Sequence, residues 1–199
     1  MLTASTARAD YLWIERAADG MQLRGGELAQ PQALTDLRDA RAGRGDAPAV
    51  TVVPEGATAT LPAAGQGDMR ASAYRISDRD GQRVITYYQA RYGRSETRAF
   101  NALELVPTTP DGNTFQLMWK GRAVAPTRVN VDTSAGWQRT LKAAEDGTVT
   151  LATPFPGTYV LEVSARIDGE VTLEGRRYED VRHTATLSFD VPAAPARVP

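Results

Sequence analysis

The sequence predicts an all-β protein, and three observations carry that expectation. Apolar and polar residues alternate with a period of two over long runs, most cleanly where Ala185, Leu187, Phe189 and Val191 alternate with Thr184, Thr186, Ser188 and Asp190. Five Asp-Gly pairs punctuate such runs, at 19–20, 80–81, 111–112, 146–147 and 168–169, and this pair supplies the positive φ of a tight hairpin turn. Through the second half, strand-like runs recur roughly every 8 to 12 residues, the spacing of a sandwich.

A chain of 199 residues can form one large or two small domains without staples. Two β-sandwich domains are expected. Gly93–Arg98, GRSETR, is the most polar break in the middle of the chain and sets the boundary between an N-terminal β domain over 10–98 and a C-terminal β-sandwich domain over 99–192. Residues 1–9 read as a leader remnant or a tag, and residues 193–199 as a flexible tail.

In chain order, DYLWIE at Asp10–Glu15 and the run after Asp19-Gly20 predict a first hairpin with Leu12 and Ile14 on one face. Gln32–Ala42 carries Leu34, Leu37 and Ala40 at helical spacing behind Pro31, so a single short helix is expected there. Val50–Val53 and Ala57–Leu61 read as short strands. Tyr74 and Ile76, a polar turn at 77–81 and the run Val84–Tyr92 predict a second hairpin. Beyond the boundary, Ala102–Val106, Phe115–Trp119, Thr127–Val131 and Trp137–Ala143 read as strands, and Val171–Leu173 as an excursion turning at Gly175. Gly147–Ala165, GTVTLATPFPGTYVLEVSA, is the centre of the second half, two strands joined by a turn that Pro154, Pro156 and Gly157 shape.

Net charge is −1, from 23 basic and 24 acidic residues, which argues against a nucleic-acid or anionic-membrane binder. The chain has no cysteine, which removes disulfides, thiolate metal sites and a cysteine nucleophile and suits either the cytosol or a bacterial periplasm. Ala7-Arg8-Ala9 has the A-x-A form of a signal-peptidase site and favours the periplasm, with a plain N-terminal tail as the competing reading. No apolar run approaches the ~20 residues that span a bilayer, so direct membrane insertion is not expected.

His183 is the single histidine, and with Asp180 and Glu179 it forms the candidate site for a divalent transition metal, because imidazole and carboxylate suit several such ions. Against this stands the reading that Asp180 and His183 are loop residues before the last strand, since one histidine falls short of the usual ligand cluster. No nucleophile-elbow pattern accompanies any serine, and phosphate-loop or dinucleotide glycine patterns lack their strand-turn-helix context, so no enzyme is expected. Asp78-Arg79-Asp80-Gly81 echoes the start of a calcium loop, but Gln89 stands where the bidentate glutamate belongs. Tyr87, Tyr88 and Tyr92 with Arg83, Arg91, Arg94 and Arg98 form the densest polar-aromatic patch, read as either a recognition surface or tyrosines covering a core edge.

Taken together, DYLWIE, LELVP at Leu103–Pro107, FQLMWKGRAV at Phe115–Val124, the run Val129–Leu151 and GTYVLEVSA at Gly157–Ala165 resemble a bacterial periplasmic family of unknown function. Its members are often described as the periplasmic component of nickel or cobalt uptake. The resemblance implies a secreted all-β protein whose C-terminal half is an immunoglobulin-like or transthyretin-like sandwich. It also implies a membrane transporter or outer-membrane receptor as partner. The family's mature chain commonly opens with a histidine before an acidic and aromatic-aliphatic run. Here the opening is Asp10-Tyr11-Leu12-Trp13, so the resemblance carries no metal ligand onto this sequence. The expected function is a non-enzymatic periplasmic accessory or binding protein associated with transition-metal uptake; the alternative is a structural or adhesion module without a small ligand.

Overall fold

The computed structural model describes residues 10–79, 81–167 and 169–193, and every regular element within them is a strand. The expected leader segment 2–9, nearly all of the expected tail, and Asp80 and Asp168 of two expected turns lie outside the described residues. The first strands are β1 (Tyr11–Ala17), β2 (Gly20–Glu27), β3 (Gln30–Gln32), β4 (Arg38–Arg44), β5 (Val50–Thr51) and β6 (Thr58–Thr60). They are followed by β7 (Met69–Arg79), β8 (Gln82–Tyr92), β9 (Leu103–Pro107), β10 (Thr114–Trp119), β11 (Arg122–Val124) and β12 (Val129–Thr133). The last are β13 (Gln138–Leu141), β14 (Thr148–Thr150), β15 (Gly157–Ile167), β16 (Val171–Leu173), β17 (Arg176–Tyr178) and β18 (Asp180–Val191).

An eight-stranded sheet runs β13-β12-β15-β18-β8-β7-β4-β5 and draws strands from both sides of Gly93–Arg98. Its two halves meet where β18 lies parallel to β8, from Asp180 beside Val84 to Ser188 beside Tyr92. Two four-stranded sheets, β1-β2-β3 with β6 and β11-β10-β14 with β9, and the β16–β17 hairpin complete the fold.

Alternation along β18 gives the large sheet two distinct faces. Ala185, Leu187 and Phe189 form an apolar face with Val163, Leu161 and Tyr159 of β15, and the β9–β10 sheet covers it with Leu105, Phe115 and Leu117. Thr184, Thr186 and Ser188 lie on the opposite, hydroxyl face, where Tyr88, Ala90, Ala73 and Ala71 pack against Leu12, Ile14 and Leu23 of the β1–β2 sheet. Each large apolar side chain buried in this way contributes roughly 1.5–3 kcal/mol. The layers are sandwich-like, with the small sheets on opposite faces of the shared large one.

Two local expectations are overturned. Gln32–Ala42 is not a helix: β3 ends at Gln32 and β4 begins at Arg38. Leu34 and Ala40 are buried, and so is Ala42, two residues beyond Ala40. That period of two serves a strand paired with β7, whereas an isolated short helix gains too little from propensity to compete. Gly147–Ala165 is not a hairpin: β14 pairs with β10, and β15 pairs with β12 and β18. Val149 and Tyr159 face each other across one core from different sheets, so their alternation resembles that of a hairpin while Pro154–Gly157 carries the chain between layers. Tyr159 secures the crossing, its hydroxyl accepting from Phe155 N (3.1 Å) and donating to Phe155 O (2.9 Å).

The polar side of β18 is also buried. Thr184, Thr186 and Ser188 are all shielded from solvent, and β1 crosses over the last two. Thr186 Oγ1 donates to Leu12 O (2.6 Å) and Ser188 Oγ to Ile14 O (2.5 Å), so these hydroxyls tether β1.

Candidate functional site

The three sequence-selected metal candidates are not brought together. His183 lies within β18 rather than in a loop, and its ring stacks on Tyr87 (centroids 4.9 Å apart) and meets Trp119 edge-on (4.8 Å). Its buried Nδ1 has no hydrogen-bond partner. Burial and the nearby Lys120 charge lower its pKa to about 4. Asp180, three residues earlier, lies on the opposite face, where Arg182 Nε and Nη2 donate to its two oxygens (3.0 and 2.8 Å). Glu179 stands outside the strand, 3.6 Å from Arg177. Among the described residues no group of three His, Cys, Asp or Glu side chains is arranged to hold a metal ion.

The tyrosine-arginine patch is dispersed over both faces. Tyr88 is buried in the β1–β2 core, Tyr87 is against His183, and Tyr92 donates to Asp190 Oδ2 (2.7 Å). Arg83 is near Asp78 (3.8 Å), Arg98 pairs with Asp46, and the Arg94 guanidinium lies 3.9 Å from the Phe189 ring centroid.

Arg91 instead belongs to a buried ionic cluster. Its Nε and Nη2 donate to Asp68 Oδ2 (3.1 and 2.5 Å) and its Nη1 to Glu104 Oε1 (2.9 Å). Arg70 donates to the same Glu104 oxygen (2.9 Å) and to Glu96 Oε2 (2.6 Å). Burial works against ionisation of Asp68, but hydrogen bonds from Ser95 and the Arg91 charge prevail and hold its carboxyl below the usual range. Glu104 Oε2 accepts from Phe100 N (3.0 Å) and Asn101 N (2.8 Å). With its members tied to one another and to backbone, this cluster anchors Gly93–Arg98 against β7, β8 and β9; it is architecture.

An open groove of about 500 Å³ lies on the hydroxyl face of the large sheet. Strand register builds it. Arg166 of β15 is directly across from Arg182 of β18, Arg182 is beside Thr86 of β8, and Thr86 is across from Arg75 of β7. The next row reads Ser164, Thr184, Tyr88, Ala73, and the one after it, Glu162, Thr186, Ala90, Ala71, reaches the ground that β1 covers. All three arginines line the groove, together with Thr86, Ser164 and Ser77. Period-two reading assigns each of these residues to a face, but the side-by-side row depends on the parallel β18–β8 pairing, which no local pattern encodes.

A second groove of about 490 Å³ opens at the end of the apolar face, between Leu117 and Trp119 of β10 and Val163, Ala165 and Ile167 of β15. Thr127, Arg128, Ser164 and Arg166 also line it, so its walls mix apolar and polar groups.

No protein-family model matches the chain, and no curated protein matches it.

Proposed function

We propose that this chain is a non-enzymatic periplasmic accessory protein that binds its ligand in the groove on the hydroxyl face of the large sheet. The observation that carries the reading is the Arg166–Arg182–Thr86–Arg75 row, which places donors on central strands of a sheet, where backbone geometry is rigid. His183 faces the other side of the sheet with its Nδ1 unpartnered, so the one imidazole is not positioned as a base for hydroxyls in this groove. That favours binding over catalysis.

The periplasmic location and a place beside transition-metal uptake, with a transporter or receptor as partner, rest on the sequence resemblance. The immunoglobulin-like or transthyretin-like character of the C-terminal half has added support from Tyr159, whose hydroxyl bonds backbone four residues upstream near a strand start, as in a tyrosine corner. Two β domains over 10–98 and 99–192 remain the proposed organisation, with the large sheet as their common layer.

Native mass spectrometry of the full chain isolated from its own periplasm tests the reading. A bound mass that Thr86→Trp abolishes, with the fold intact by circular dichroism, supports it; a mass retained by Thr86→Trp, or none at all, overturns it. Titration with nickel, cobalt, copper, zinc and iron tests the metal association separately, and absence of micromolar binding removes a direct carrier role.

The adhesion reading is favoured by a different observation. The β5 edge of the large sheet exposes Val50 and nearby Val53, at 50% and 71%. An unpaired edge of this kind offers backbone groups to a partner strand. Partner binding lost in Val50→Pro and kept in Thr86→Trp would select that reading.

A further inference from the structure

The geometry points to a small polyhydroxylated oxyanion, a sugar acid or sugar phosphate, as the ligand of the groove, held by Arg75, Arg166 and Arg182. This rests on the binding-protein reading and assigns the chemistry of its site. Arg166 and Arg182 are direct cross-strand neighbours, and like charges placed opposite one another destabilise a sheet. One carboxylate serves both: Asp180 accepts two bonds from Arg182, and its Oδ1 lies 3.4 Å from Arg166 Nε. Arg75 approaches from the other side of Thr86. Its Nη2 donates to Thr35 O (3.1 Å), its Nη1 stands 4.0 Å from Asp10 Oδ2, and its buried Nε has no partner.

The guanidiniums at the two ends of the row, Arg166 and Arg75, match carboxylate or phosphate oxygens, while Arg182, its Nε and Nη2 taken by Asp180, adds positive charge between them. Arg182 and Arg75 are two strand spacings apart, about 10 Å, and the hydroxyl of Thr86 lies on the strand between them. Ser77 and Ser164 add hydroxyls at the rim. A ligand that spans this distance therefore meets charge at an end and hydroxyls along its length. The groove volume of about 500 Å³ suits a sugar-sized molecule.

The test is isothermal titration calorimetry of the full chain at low ionic strength with D-glucuronate, D-glucose 6-phosphate and D-glucose. Saturable binding of glucuronate identifies the sugar-acid arm and of glucose 6-phosphate the sugar-phosphate arm, with no heat from glucose at the same concentrations. The double variant Arg75→Gln/Arg166→Gln should weaken the charged ligand at least about tenfold. Arg182→Lys keeps the charge but loses the two-point hold on the Asp180 carboxylate that it shares with Arg166, and should weaken it as well by disordering that side of the row. If the double variant fails to fold, Arg166→Gln alone substitutes for it, because that side chain is 63% exposed. Equal affinity for glucose, unchanged affinity in the arginine variants, or no binding of either charged sugar to about 10 mM overturns the assignment. A neutral native ligand displaced by Thr86→Trp would overturn the oxyanion while leaving the binding-protein reading standing.

Discussion

The fully buried guanidinium of Arg91 grips Asp68 Oδ2 through two nitrogens, at 2.5 and 3.1 Å, and so locks β8 to the residue just before β7. Both charges are out of solvent, so removing either leaves the rest of the cluster, Glu104 and Ser95 included, with an uncompensated buried charge. Arg91→Met or Asp68→Asn should lower unfolding free energy by about 3–5 kcal/mol in urea denaturation. Arg98→Ala, which breaks an exposed pair with Asp46, should change it by less than about 1 kcal/mol. Equal effects would show that burial does not decide the worth of these pairs.

Gly93 sits beside the same carboxylate. Its φ of +107° lies in the region that favours glycine, and a Cβ there would stand 2.3 Å from Asp68 Oδ1. Gly93→Ala should therefore cost more than the ~1 kcal/mol of an ordinary conformational penalty, by displacing Asp68 from Arg91 and Ser95. A melting temperature within a degree or so of wild type would contradict this.

The pH dependence of stability follows from His183 and Asp68. His183 is neutral in both states above its ordinary value of 6.5; as pH falls from there to about 4, the unfolded chain takes up a proton that the folded chain refuses, and stability declines. Asp68, depressed in the fold, contributes stability above the ordinary carboxylate range and loses it as pH falls further. His183→Phe, which keeps an aromatic ring between Tyr87 and Trp119, should flatten the decline between pH 6.5 and 4 and leave the more acidic limb in place. Urea midpoints measured across that range, identical in slope for both proteins, would refute the assignment to His183.

Thr186 and Ser188 supply the hydroxyls that hold β1. Thr186→Val and Ser188→Ala each leave a buried carbonyl of β1 without its donor and should cost about 1–3 kcal/mol. Amide hydrogen exchange should quicken in Tyr11–Ala17 before it does in β15. Uniform quickening across both strands would argue against a local tether.

Much of the architecture is legible in the sequence because it is local. The β1–β2 turn at Asp19-Gly20, the β7–β8 hairpin, and the face of Phe115, Leu117 and Trp119 on β10 follow from period-two alternation and turn residues. The buried threonines and serine of β18 carried a weaker signal. Thr184, Thr186 and Ser188 are small hydroxyls, and the first charged residue on that face after Arg182 is Asp190, which is exposed. Small hydroxyls fit beneath a crossing strand where long charged side chains would not.

By itself, the sequence determined that this chain is all-β, roughly where most strands lie, and which residues within a strand share a face, since those properties depend on neighbours two to four positions away. Tertiary structure alone decided that Gln32–Ala42 is no helix, that β14 and β15 belong to different layers, and that β18 lies parallel to β8. Pairing between strands some ninety residues apart is set by which surfaces bury each other, a global balance that no short pattern records. That pairing sets Arg75, Arg166 and Arg182 in one row and so makes the groove.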